Sequence, residues 1–102
     1  MNIDALKKML EQGQDSLILR FGLGQALLKD KQFSEAIIHL QKALEFEPEY
    51  SAAWKLLGKA LVENQQNDDA ILAFNQGIKV AEAKGDIQAV KEMKVFLKRL
   101  GP

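Results

Sequence analysis

The 102-residue chain contains no cysteine and only two prolines, and neither sign of charge is in excess. Without cysteine, the chain forms no disulfide, thiolate metal site or cysteine nucleophile. The 14 basic residues balance the 14 acidic ones, whereas nucleic-acid binding usually shows as a basic stripe. Uninterrupted apolar runs are only a few residues long, too short to cross a membrane. These absences predict a cytoplasmic protein that binds neither nucleic acid nor membrane, and its amphipathic N-terminus does not resemble a signal peptide.

The most informative feature that is present is an internal repeat with a period of 34 residues. Residues 17–50 align without gaps on residues 51–84, and seven aligned pairs are identical. A fixed period of this length indicates a unit that stacks on a copy of itself. Six of the seven pairs are small or aliphatic, and they include Gly24 with Gly58. Because glycine inside a helix costs about 1 kcal/mol relative to alanine, this pair predicts two places where helices approach closely.

Helical periodicity runs through every long segment, and no segment alternates with a period of two. We therefore predict an all-α chain of about six helices, at approximately residues 3–12, 17–29, 34–47, 51–63, 68–83 and 86–100. Asp15 or Ser16 is expected to cap the second helix and Ser34 the third, because their side-chain oxygens can accept from free amides. Pro48 and Gly85 are expected to end the third and fifth helices.

These residues resemble the tetratricopeptide repeat (TPR). The second unit has the family's spacing in Trp54, Leu57-Gly58, Leu61, Ala70 and Phe74, and the first in Leu23-Gly24, Leu27, Ala36, Leu40, Ala43 and Pro48. Arg20 departs from the pattern by replacing the first aromatic residue, and Lys31 and Gln65 stand where a turn glycine is usual. The resemblance implies a right-handed superhelical stack of antiparallel helix pairs. Its single domain would comprise a partial-repeat helix at 3–13, repeats at 17–50 and 51–84, and a capping helix at 86–100.

The resemblance also implies a protein-interaction module, without catalysis or cofactor, that holds a peptide or partner segment in a concave groove. By position, the groove would be lined by Phe21, Gln25 and Leu28 from the first repeat and by Ala52, Lys55, Lys59 and Val62 from the second. Lys55 and Lys59 are four residues apart and share a helix face, so they would favour an acidic or carboxylate-bearing segment. The alternative is that these two lysines only solvate the helix.

Co-chaperone members of the family grip a chain-terminal carboxylate through a clamp of lysine, asparagine and arginine side chains. The matching positions in this chain hold Phe21, Gln25, Leu56, Asp86 and Val90. None of these residues is cationic, so binding of chaperone tails by that clamp is not predicted.

The last helix is apolar over roughly half of its circumference, which is wider than a single packed stripe needs. One interpretation is a broad cap over the fifth helix. The alternative is a second contact surface, in which Met93 and Phe96 face the groove and fill it, bind a partner or pair two copies of the chain. If two copies pair, the chain would be a homo-oligomeric structural protein. Of these interpretations, the cap is favoured as the main role of the helix. The basic residues on the remaining face of this last helix are interpreted as solvating the helix and as complementing its dipole at the C-terminal end.

Residues suited to catalysis or metal binding are scarce. His39 is the only histidine, and it is interpreted as a surface residue without a nucleophile partner. The segment Gly22-Leu23-Gly24 lies within a helix and lacks the third glycine of a phosphate-binding loop. Asp68 and Asp69 are adjacent on a helix, so their side chains diverge rather than converge on a metal. The sequence therefore predicts neither an enzyme nor a metalloprotein.

Overall fold

The computed structural model describes residues 2–101, which form six α-helices joined by short turns. The helices are α1 (Ile3–Glu11), α2 (Leu17–Lys29), α3 (Phe33–Phe46), α4 (Ser51–Glu63), α5 (Asn67–Lys84) and α6 (Ile87–Arg99). The all-α prediction is confirmed, and each predicted boundary lies within one residue of the observed one.

The helix ends follow local chemistry. The Ser16 hydroxyl accepts a hydrogen bond from the Leu19 amide and caps α2, as predicted. Gly85 ends α5 in the left-handed region at a φ of 75°, a conformation that glycine adopts without strain. The third helix ends at Phe46, two residues before Pro48. Three of the expected start and stop signals therefore act where the sequence places them.

The expected cap at Ser34 is wrong. Gln32 precedes α3 and makes no side-chain capping bond, and the Ser34 hydroxyl instead lies 3.5 Å from Oδ1 of Asn64 in the turn between α4 and α5. The turn before α3 places Lys31 at a φ of 61°, and the Gln32 amide then donates to the Leu27 carbonyl. This left-handed residue reverses the chain sharply enough for the helix to begin before Ser34.

The helices form two layers. Each packs on its neighbours in sequence, and α2 also contacts α4 while α4 contacts α6. Consequently α2, α4 and α6 form an inner layer, α3 and α5 form an outer layer, and α1 packs against α2. The stack measures 43 × 28 × 19 Å, and its core runs between the layers.

Glycines set the spacing between helices at the crossing points. A Cβ atom built on Gly24 would lie 2.6 Å from Leu40 Cγ, and one built on Gly58 would lie 2.6 Å from Phe74 Cζ. Both large side chains are fully buried. The two predicted close approaches are therefore confirmed, between α2 and α3 and between α4 and α5. A third, at Gly77, brings α5 against α6 and α4.

Arg20 connects three segments through a hydrogen-bonded cluster. Its Nε and Nη2 donate to the two carboxylate oxygens of Asp15 at 2.8 and 2.9 Å, and its Nη1 lies 3.0 Å from His39 Nδ1. A guanidinium only donates, so Nδ1 of the neutral imidazole accepts. Burial lowers the pKa of His39, and the Arg20 charge lowers it further. The interpretation of His39 as a simple surface residue is therefore wrong: it is half-buried and ties α3 to α2.

We expect Gly58→Ala to destabilise the protein. Overpacking a core usually costs about 1–3 kcal/mol, of which the better helix propensity of alanine offsets about 1 kcal/mol. Urea denaturation of Gly58→Ala in the wild-type and Phe74→Leu backgrounds measures the effect. The substitution should cost less in the second background, because the ring that the new methyl group would overlap is gone. An equal cost in both backgrounds would contradict direct overlap.

We expect stability to decline as the pH falls below about 6.5, the ordinary histidine pKa. The pKa of His39 is lower in the folded chain than in the unfolded one, so the unfolded state binds the proton first. The decline continues until the folded pKa is reached. His39→Gln keeps an acceptor for Arg20 and should flatten this part of the profile, as measured by thermal unfolding from pH 8 to pH 5. The same slope in the variant would assign the decline to other groups.

Candidate interaction groove

Three parallel lines of side chains run along the inner layer. They are Phe21, Gln25 and Leu28 on α2, then Lys55, Lys59 and Val62 on α4, and Glu92, Phe96 and Arg99 on α6. Within each line the residues are three or four positions apart, so they share one helix face. Side-chain contacts join the second line to the third, since Lys55 pairs with Glu92 and Lys59 lies over the Phe96 ring.

One end of this surface is open, and it is bordered by the start of α1, by α2 with the turn that follows it, and by α4. A depression of about 1190 Å³ is lined by Gln25, Leu28 and Lys59 among the predicted residues. A smaller one of about 320 Å³ is lined by Leu28, Lys59, Val62 and Phe96. Because the two share Leu28 and Lys59, they form one continuous surface. Five of the residues selected from the sequence therefore come together at this end.

The other end is occupied by contacts within the chain. The Phe21 ring packs on Tyr50, with centroids 4.9 Å apart and planes tilted by 56°. Lys55 Nζ donates to Glu92 Oε2 at 2.9 Å, and Ala52 is half-buried. Phe21, Ala52 and Lys55 line neither depression. A partner here would have to compete with Glu92 for the Lys55 charge.

The Lys55–Glu92 pair is the feature of this surface that sequence reasoning missed. The hydrogen bond that Lys55 donates, together with the positive charge of that lysine, lowers the pKa of the Glu92 carboxyl. The 34-residue period could not predict this contact. The start of α4 lies 34 residues after the start of α2, but the start of α6 lies 36 residues after the start of α4. The residues of α6 therefore fall out of register with the repeat.

The last helix places Met93 and Phe96 in different environments. Met93 is fully buried, and its Sδ occupies the space beside Gly77, which agrees with the cap interpretation and contradicts the alternative that this residue lies on a contact surface. Phe96 is half-buried and stacks on Phe74 with a centroid separation of 5.2 Å and nearly parallel planes. Lys59 Nζ and Arg99 Cζ lie 5.7 and 5.8 Å from the centroid of the Phe96 ring. Met93 thus belongs to the cap, and Phe96 faces the groove.

The positions of the carboxylate clamp carry no cation. By sequence position alone, two clamp positions of the last helix are assigned to Asp86 and Val90. Counted from the observed start of α6, which is two residues later, these positions are Gln88 and Glu92. Asp86 itself caps α6 by accepting from the Ala89 amide at 3.2 Å. It also accepts from the Ser51 hydroxyl at 3.3 Å. Its carboxylate is therefore committed to holding the start of α6 against α4.

Within residues 2–101, no group of three histidine, aspartate or glutamate side chains is placed to hold a metal ion. Asp68 and Asp69 lie exposed in the first turn of α5, where Asp69 accepts from Gln66. Over the same residues, no helix combines the length and apolarity that crossing a bilayer requires.

Two protein-family models, both described as tetratricopeptide repeat, match the chain over residues 27–93 and 3–50. TPR repeat-containing protein PA0015 of Pseudomonas aeruginosa is 47% identical over 100 residues, which cover 98% of this chain and 95% of that protein. The solution structure of protein BPP2914 from Bordetella parapertussis is 44% identical, with a TM-score of 0.86 over 98% of this chain and 87% of that one. A crystal structure of a tetratricopeptide repeat domain protein from Salinibacter ruber is 28% identical and superposes with a TM-score of 0.76 over 84% of this chain and 96% of that one.

We expect Lys55→Gln to raise the pKa of Glu92 toward the ordinary value of 4.5, because the ammonium that donates to this carboxylate is lost. Carbon-13 NMR titration of the side-chain carboxyl measures the shift. Because the folded pKa is depressed, the contribution of the pair is present at neutral pH and is lost as the pH falls through that pKa. Both side chains are partly exposed, so a double-mutant cycle with Glu92→Gln should give a coupling below about 1 kcal/mol. If the pKa of Glu92 is the same in Lys55→Gln as in the wild type, the ion pair is contradicted.

Proposed function

Because this chain belongs to the tetratricopeptide repeat family, we propose that it is a non-catalytic interaction module that binds a segment of a protein partner along its inner layer. Proteins of this family generally mediate protein–protein interactions. The observation that carries the proposal is the continuous open surface that contains Gln25, Leu28, Lys59, Val62 and Phe96. A concave surface with an apolar floor and a few polar groups is typical of a binding site.

The mechanism of binding follows from the rigidity of this surface. The side chains of the inner layer stand on helices whose spacing is fixed by buried contacts such as Gly58 with Phe74. A preformed surface loses little conformational freedom on binding, so more of the contact energy appears as affinity. A few apolar anchors are expected to supply most of that energy. His39 has no part in this surface, since it lies between α2 and α3 against Arg20.

Affinity capture from native lysate tests the proposal with two matched variants. The inner variant combines Leu28→Ser with Val62→Ser. The outer variant makes similar apolar-to-polar changes on the opposite layer, Ile38→Ser with Leu72→Ser, at side chains that are 53% and 69% exposed. We expect a partner retained by the wild type and the outer variant to be lost from the inner variant. Circular dichroism melting confirms that each variant is folded.

Loss of the partner from the outer variant alone would contradict the proposed surface. The homo-oligomer considered from the sequence is tested on the same samples by light scattering at micromolar concentration. A monomeric chain excludes the homo-oligomer. A dimer that the inner variant disrupts would make the partner a second copy of this chain.

A further inference from the structure

The smaller depression of the inner layer lies where the α2–α3 turn, the end of α4 and the face of α6 meet, and we call it the turn-end pocket. It is lined by Leu28, Lys29, Lys31, Phe33, Lys59, Val62, Glu63 and Phe96. Its volume of about 320 Å³ is at the lower limit of ligand pockets. This size suits one large side chain of a partner rather than a whole folded element.

The floor of the turn-end pocket is apolar and held in place. Leu28, Phe33, Val62 and Phe96 are all half-buried. The Phe96 ring is fixed by its stack on the fully buried Phe74. An apolar group that enters the pocket therefore meets a surface that needs no rearrangement, which favours binding.

The rim of the turn-end pocket is positively charged. Lys29, Lys31 and Lys59 line it against the single acid Glu63. Within residues 2–101, neither these three lysines nor Arg99 beside Phe96 forms an ion pair with a carboxylate. An occupant of opposite charge would therefore meet cations that no carboxylate of the described chain already holds.

We propose that the turn-end pocket binds an acidic partner segment in which one large apolar side chain enters the pocket and the flanking carboxylates pair with Lys29, Lys31 and Lys59. The inference rests on the proposed function and names the chemistry of the segment bound there. The preference for an acidic segment is thereby assigned to these three lysines rather than to Lys55, whose charge is matched by Glu92. The apolar anchor gives affinity, and the lysines select the charge of its neighbours.

Fluorescence anisotropy with short labelled peptides tests this chemistry. Each peptide has one central residue, alanine, leucine or phenylalanine, flanked on both sides by glutamate, glutamine or lysine. We expect central phenylalanine or leucine between glutamates to bind about tenfold more tightly than the same centre between glutamines, a difference of about 1.4 kcal/mol. Added salt should shrink this difference, and central alanine should abolish binding in every series.

Protein variants locate the preference. Lys31→Gln combined with Lys59→Gln should remove the advantage of glutamate flanks, so that glutamate-flanked and glutamine-flanked peptides bind the variant equally well. The turn tolerates this residue, because Gln65 adopts a φ of 62° at the same position of the second repeat, against 61° for Lys31. Lys55→Gln is the matched control, since it removes a lysine from the same helix outside the pocket, and it should keep the glutamate advantage.

The outcomes separate this inference from the function on which it rests. Equal binding of all flanks, tighter binding of lysine flanks, or loss of the glutamate advantage in Lys55→Gln would overturn the turn-end pocket and leave the inner-layer surface standing. If no peptide binds and the inner variant still captures its partner from lysate, both the pocket and the proposed function fail.

Discussion

The architecture depends on the contact between a glycine on one helix and a large buried side chain on the next. Gly24 with Leu40 and Gly58 with Phe74 set how closely α2 approaches α3 and α4 approaches α5. At Gly77 the same device admits Met93 and joins the last helix to the stack. A methyl group at any of these glycines would force the helix axes apart or displace a core side chain. The inner layer, and every side chain that it presents, is positioned by these contacts.

These contacts also explain how much of the fold could be predicted from the sequence. The small residues recur at a fixed period because each repeat needs the same crossing, so the helices and their pairing could be recognised without a structure. The start of α3 could not, because it depends on Lys31 in a left-handed conformation that residue type does not signal. Nor could the cluster at Arg20: the sequence showed that an aromatic residue was replaced, but not that Asp15 and His39 converge on the guanidinium.

The groove was partly predictable for a related reason. Its lines on α2 and α4 obey the repeat, so Gln25, Leu28, Lys59 and Val62 could be selected by position. The line on α6 lies outside the repeat, because α6 begins two residues later than the 34-residue period would place it, so Glu92 was missed. For Met93 the sequence left a cap and a contact surface as alternatives. Packing decides such cases, because Met93 fills a space that only the absence of a side chain at Gly77 creates.

The turns that follow α2 and α4 share one backbone geometry and differ in chemistry. Lys31 and Gln65 adopt almost the same left-handed conformation, although neither is the glycine that would adopt it without strain. The two turns thus keep the same backbone conformation with different side chains, a cation in one repeat and a neutral amide in the other. A substitution at this position can therefore change the charge at the end of the stack without altering the path of the chain between the helices.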